Sequence, residues 1–176
     1  MRPRGLSPAL RERFDDGRQP AMQALPYTHH RDWYLATDAS CRAGVSTLGA
    51  IAEAADGTIL GRWHTAIDTD DNNRSELLAL HYGLDRLAAS VPTNSRIGIL
   101  LDHDGLAEAI CRWAHAGESI SLPYRSASPY HWAGVQSRIQ AFADVRVSLV
   151  GSDRNPAHEL VNPSISISSD TTLPSD

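Results

Sequence analysis

Apolar positions recur along the chain with two periods, and the changes of period divide it into elements. Trp33-Tyr34-Leu35-Ala36-Thr37 is an apolar run that ends on Asp38 and predicts a first strand. Residues 45–54, rich in small and β-branched side chains, predict a second. Asp56-Gly57 is a hairpin turn signal, so 58–65 is expected as a third strand antiparallel to the second. A polar stretch over 68–73 follows. Leu77, Leu80, Leu84 and Leu87 then recur at spacings of three and four, a stripe that predicts a helix over 75–89. Residues 96–101 form a short apolar run ending at Asp102, as expected of a buried parallel strand. Helices are predicted over 105–116 and within 129–143, the latter with Trp132, Val135, Ile139 and Phe142 along one side. Val145, Val147 and Leu149 alternate in a fifth strand, and 157–162 predicts a short last helix stopped by Pro163. Three strands, a helix, a strand, two helices, a strand and a helix make an α/β pattern. It predicts a five-stranded mixed sheet, three antiparallel strands then crossover strands, with helices on both faces.

The pattern fades at both ends. Residues 1–30 contain four prolines and a charged stretch over 11–16, with room for only a short helix around 8–14. They are expected to be a flexible or loosely docked extension, with a protein partner as one use for it. Residues 163–176 are rich in Ser, Thr, Asp and Pro and are expected to form a disordered tail, although the alternation over 164–168 leaves room for a short strand. The domain itself is expected over 31–162. A chain of 176 residues suits one such domain.

Composition narrows the class. No stretch approaches the roughly 18 consecutive apolar residues of a membrane span. The basic start Met1-Arg2-Pro3-Arg4 leads to Arg11, Glu12 and Arg13 and not to an apolar block, which predicts no secretory leader. Two cysteines, Cys41 and Cys111, cannot build a disulfide framework, so a reduced, cytoplasmic setting is expected. The net charge is -5, from 21 acidic and 16 basic side chains. That balance counts against an ordinary nucleic-acid binder, which carries a basic footprint. It does not count against an enzyme whose acids are neutralised by bound divalent cations.

Three acids stand at suggestive places. Asp38 ends the first strand, Glu76 lies in the first turn of the first long helix, and Asp102 ends the fourth strand. Singly each has an ordinary reading as a turn, cap or helix-dipole residue. Together they sit where two neighbouring strands end and a covering helix begins. Three carboxylates in one place repel unless a cation lies among them. Hard oxygen donors select Mg²⁺ or Mn²⁺. A pair of such ions about 3.5–4 Å apart is a common arrangement for phosphodiester hydrolysis.

Several segments in order carry a resemblance. Thr37-Asp38-Ala39-Ser40, Leu48-Gly49-Ala50-Ile51, Asn72-Asn73-Arg74-Ser75-Glu76-Leu77-Leu78-Ala79, Leu100-Leu101-Asp102 and Arg154-Asn155-Pro156-Ala157-His158-Glu159-Leu160 resemble type 1 ribonuclease H over about 32–162. The resemblance implies the ribonuclease H-like fold and cleavage of the RNA strand of RNA–DNA hybrids, with Mg²⁺ or Mn²⁺ as a two-ion cofactor. It carries metal-ligand and catalytic roles onto Asp38, Glu76 and Asp102, and hybrid contacts onto Ser40, Asn72 and Asn73.

The chain also departs from that pattern. His158 stands at the position of the fourth family acid, as in some plant-type members. It is either a metal ligand, imidazole being better suited to Mn²⁺ than to Mg²⁺, or an ordinary polar residue at a helix start. Glu159 and Asp153 are poorer substitutes. Asp104 competes with Asp102 as ligand, but the register of Leu106, Ala109 and Ile110 favours Asp102 and leaves Asp104 as a helix N-cap. The turn after Asp38 keeps only Gly44, the loop over 151–156 is short, and 116–129 holds one cation, Arg125. His29-His30 reads as an exposed pair in the extension, and Cys41 has no histidine beside it in sequence.

Three functions remain open. In the leading one the chain is a hybrid-cleaving endonuclease: Asp38 bridges both ions, Glu76 and Asp102 hold one, and His158 lies near the other. In the second it is a catalytically weakened module of the same fold that binds nucleic acid or a protein partner. In the third it is an exonuclease, whose usual Asp-x-Glu on the first strand is absent from Asp38-Ala39-Ser40.

Overall fold

The computed structural model describes residues 9–20, 23, 30–120, 122 and 129–162. Five strands are present there: β1 (Trp33–Arg42), β2 (Val45–Ala54), β3 (Ile59–Asp68), β4 (Arg96–Leu101) and β5 (Asp144–Leu149). They pair in the order β3-β2-β1-β4-β5. The first three are antiparallel neighbours, and β4 and β5 add in parallel. The α-helices are α1 (Leu10–Asp16), α2 (Asn72–Ala88), α3 (Asp104–Ala116), α4 (Pro129–Gln140) and α5 (His158–Val161). Among the described residues no helix is long and apolar enough to cross a membrane. The mixed sheet and the helices on its two faces agree with the architecture expected from the sequence.

Strand alternation separates two cores. Leu35, Ala50, Ile97, Ile99, Val145 and Val147 face α2, α3 and α4, against Leu77, Leu80, Leu84, Leu106, Ile110 and Val135. Tyr34, Ala36, Ile51 and Leu100 face the other way, against Leu10 and Phe14 of α1 and Ala157 at the start of α5. Gly83 lets α2 come down on the sheet: a Cβ there would lie 2.7 Å from Thr37 Cγ2 and 3.1 Å from Ala50 Cβ.

The short helix expected around 8–14 is present as α1, and the described part of the N-terminal segment is packed on the sheet more firmly than a loose extension. Residues 9–20 are docked. Leu10 and Phe14 are buried, the Phe14 ring meets Tyr34 edge-on at 5.4 Å, and the Glu53 carboxylate accepts from Leu10 N–H at 2.9 Å. Arg18 then bridges to Leu149, and the Gln23 amide bonds to both N–H and C=O of Val147. Together they cover the backbone of edge strand β5, which would otherwise be open to pairing with another chain. Residues 1–8, and the tail and short strand expected over 163–176, lie outside the described residues.

Boundaries shift where a cap decides them. The helix expected from residue 75 begins at Asn72, because the Asp71 side chain accepts from Arg74 N–H at 2.8 Å. Glu76 is therefore beyond the first turn, not in it. The N-cap of α3 is His103, whose Nδ1 accepts from Leu106 N–H at 3.1 Å. Asp104, expected as that cap, is instead exposed and pairs with Arg18 at 2.9 Å.

Candidate active site

β1 outruns its parallel neighbour. Pairing with β4 ends at Ala36↔Leu100, whereas pairing with β2 continues through Asp38↔Gly49 to the hairpin turn at Ala43-Gly44. Asp38 thus lies past the end of β4, on the strand face of Tyr34 and Ala36. Asp102 follows β4 on the corresponding face of Leu100. Glu76 comes from α2, on the other side of the sheet, and meets them where β4 has stopped. One carboxylate oxygen from each of Asp38, Glu76 and Asp102 lies within 4.8 Å of the others. Asp38 and Glu76 are buried and Asp102 is half-buried.

The cluster is electrostatically frustrated. Burial pushes the Asp38 pKa upward and the charge of Asp102 adds to the shift, while bonds from His158 and Ala39 N–H oppose it. Glu76 is pushed up to about 9, first by burial and then by Asp38 and Asp102. Carboxylates held together this way favour protons or a divalent cation. A set of three oxygen donors fits a hard ion such as Mg²⁺ or Mn²⁺.

His158, the first residue of α5, is half-exposed and donates from Nδ1 to Asp38 Oδ2 at 2.9 Å. Two features hold α5 there. The buried Asn155 amide donates to Thr37 C=O at 2.9 Å and accepts from Ala157 N–H at 3.1 Å, tying the start of α5 to the residue before Asp38. Gly49, the β2 partner of Asp38, makes room for α5: a Cβ there would lie 2.8 Å from Val161 Cγ1.

The other expected site residues are placed as follows. Ser40 Oγ donates to Asn162 Oδ1 at 2.8 Å, and the Arg42 guanidinium donates to the same oxygen at 2.6 Å, so both are drawn to the end of α5. Asn72 and Asn73 are exposed at the start of α2. Asn73 Oδ1 lies 2.9 Å from His103 Nε2. Since His103 Nδ1 is an acceptor, Nε2 carries the proton and donates, leaving the Asn73 amide N–H groups for other partners. Glu159 and Asp153 are exposed and stand outside the acidic cluster. Cys41 Sγ contacts Ser46 Oγ at 2.6 Å and Ser75 Oγ at 3.2 Å, hydroxyls and no imidazole. His30 bonds to the Arg11 guanidinium at 3.0 Å.

Asn155, Asn162, Gly49 and His103 have site-shaping contacts that the sequence does not announce. Asn155 stands three residues before the start of α5, where an Asn reads as a turn residue. The contacts of Gly49 and Asn162 are long-range and leave no local trace.

Searched by sequence, the chain matches no family model and no curated protein. Its fold does have likenesses among solved structures. The N-terminal RNase H domain of a Mycobacterium tuberculosis protein, solved as a fusion with maltose-binding protein, superposes with a TM-score of 0.60 at 21% identity, covering 75% of this chain and 91% of that one. RNase H1 from the halophilic archaeon Halobacterium salinarum gives 0.59 at 17% identity, covering 73% and 92%. LC11-RNase H1, solved in complex with an RNA/DNA hybrid, gives 0.60 at 17% identity, covering 76% and 96%. These likenesses define the class: an α/β protein with the type 1 ribonuclease H-like fold. Within that class this chain has three clustered acids able to hold a metal ion and a histidine bonded to one of them.

Proposed function

We propose that the chain is a metal-dependent endonuclease that hydrolyses the RNA strand of RNA–DNA hybrids. The observation that carries the reading is the convergence of Asp38, Glu76 and Asp102 from three separate elements onto one point, against the repulsion between them. The hybrid bound by LC11-RNase H1, a protein of the same fold, supports the substrate class.

Asp38, Glu76 and Asp102 would hold the metal. Divalent ions bound there would supply an activated water nucleophile and charge stabilisation of the leaving oxygen. The chain's own residues do the rest. Ala39 N–H and His158 orient the two oxygens of Asp38. His158 holds Asp38 by its hydrogen bond, and its other ring nitrogen would suit Mn²⁺ better than Mg²⁺ if it ligated an ion there. Asn72 and Asn73 present donors from the α2 start to sugar and phosphate oxygens, the contacts that distinguish RNA from DNA. Ser40 supports the same surface through Asn162.

The alternative is a catalytically weakened module that binds nucleic acid or protein; the His158–Asp38 bond, which occupies a ligand oxygen, favours it. Cleavage of a labelled hybrid with Mg²⁺ and with Mn²⁺, beside Asp38→Asn and His158→Asp, separates the two. Cleavage lost in Asp38→Asn and raised with Mg²⁺ in His158→Asp is the expected result. No cleavage by the intact chain with either ion would leave the binding module.

A further inference from the structure

We propose that β3 is a self-complementary edge onto which a second copy of this chain adds antiparallel, joining the two sheets about a two-fold axis at Thr65. The proposal does not rest on the nuclease reading.

The two edges of the sheet differ. Arg18 and Gln23 occupy the backbone of β5. Among the described residues nothing pairs with the outer side of β3, a 10-residue strand without proline. Its one irregularity falls at Ile59–Gly61, which leaves 62–68 regular. A free, regular ladder is a template for another strand. The hairpin fixes which peptide groups are free. The two-residue turn at Ala43-Gly44 makes Arg42↔Val45 a hydrogen-bonded pair. By alternation Ser46, Leu48 and Ala50 bond across to Ile67, Thr65 and Trp63. The N–H and C=O groups of Arg62, His64, Ala66 and Asp68 therefore point away from the sheet.

The side chains select the partner and the register. Trp63, Thr65 and Ile67 are half-buried on the α2 side, and Arg62, His64, Ala66 and Asp68 are exposed on the other. Pairing about Thr65 sets Arg62 opposite the partner's Asp68, His64 opposite the partner's Ala66, and Trp63 opposite the partner's Ile67. The two-fold axis makes each pair twice. Opposite charges and an aromatic against a β-branched residue are both favourable cross-strand pairs. Arg62 and Asp68 have no ion-pair partner among the described residues of their own chain, so the pairing breaks no existing bridge. Centring on His64 also keeps the ladder bonds, but it sets Arg62 against the partner's Ala66 and leaves the charges unmatched. The helices leave room. α2 packs on β1 and β2, so two joined copies hold their α2 helices four strand spacings apart, roughly 19 Å, wider than a helix. Asp38 is level with Gly49 and His64 across the sheet, which puts both acidic clusters on one continuous sheet, roughly 24 Å apart.

The test is sedimentation equilibrium of the full chain from about 5 to 500 μM in about 150 mM salt, beside Arg62→Asp and Asp68→Arg. The expected result is a reversible wild-type dimer, with self-association at least about tenfold weaker in either variant. An equimolar mixture of the two variants should associate as the wild type does, because every 62–68 pair is then again of opposite charge. Thr65→Cys tests the axis without touching a charge. Under mild oxidation it should give a covalent dimer that the wild type does not, since the two copies of residue 65 face each other as a non-hydrogen-bonded pair. A wild type that stays monomeric throughout would overturn the proposal, and if the chain cut after residue 162 then dimerised, the edge would belong to residues 163–176. Variants that dimerise as tightly as the wild type, or whose mixture fails to associate, would overturn it as well.

Discussion

At the scale of single residues, Glu76 carries the cost of the site. Its pKa in the folded chain is pushed from 4.5 to about 9. Below the lower value the side chain is protonated whether folded or not. Between the two, the unfolded chain loses the proton and the folded chain keeps it, so the unfolded state is favoured as pH rises. The metal-free protein should therefore lose stability from about pH 5 to pH 9, with Asp38 acting in the same direction. Glu76→Gln should flatten the dependence to the part due to Asp38 and raise metal-free stability at pH 8 by about a few kcal/mol. Urea unfolding in chelator at pH 5 and pH 8 measures it, and identical pH profiles for the two proteins would count against a buried, proton-holding Glu76. His103 supports a second prediction. Its donation to Asn73 Oδ1 fixes which end of that amide faces outward. If the proposed function holds, His103→Ala should raise the KM for hybrid several-fold more than it lowers kcat, because it frees the orientation of Asn73, the proposed hybrid contact, and leaves the acids in place.

At the scale of elements, α5 is a four-residue helix that brings one side chain to the site, and it is held by contacts from far away in sequence. Gly49→Val would place a branched side chain where Val161 and Ala157 now pack. It should cost about 1–3 kcal/mol in thermal denaturation and reduce cleavage further than that loss explains, because His158 leaves Asp38. α1 tests the opposite kind of element, one that looks dispensable in the sequence. Phe14 is buried against Tyr34, and its C=O accepts from Ser148 Oγ at 2.8 Å. Phe14→Ala should therefore destabilise the fold by about 3–5 kcal/mol, whereas a loose extension would give no change in the urea midpoint. The sheet was legible because its strands are apolar runs with clear ends, and Asp38 and Asp102 were legible because the topology sets β1 beside β4. The docking of α1 was hidden, since two apolar residues in a proline-rich segment show too little periodicity. The starts of α2 and α3 moved because Asp71 and His103 cap them, and capping depends on one hydrogen bond more than on pattern. The roles of Gly49 and Asn155 depend on partners at the other end of the chain, which no local window contains.

At the scale of the whole molecule, the charge balance constrains how the proposed hybrid binding would work. The net charge of -5 includes three carboxylates that two divalent ions would more than neutralise, so the site face becomes attractive to phosphate only when loaded. Among the described residues, Arg42 at the end of β1 and Arg74 near the start of α2 are the cations available to phosphate beside the acids, since Arg18 is engaged by Asp104 and Arg154 by Asp16. Affinity for a hybrid comes largely from Lys and Arg on phosphates, and each such contact contributes roughly 0.7–0.9 to the slope of log affinity against log salt. Two contacts predict a slope near about -2 and weak binding at physiological salt. Fluorescence anisotropy of the Asp38→Asn chain on a labelled hybrid, between about 50 and 200 mM salt, measures that slope directly. Arg42→Ala and Arg74→Ala should each flatten it by about one contact. A slope steeper than about -5 would show that most phosphate contacts come from elsewhere. Arg2, Arg4 and Arg125, which lie outside the described residues, would then be the first to replace.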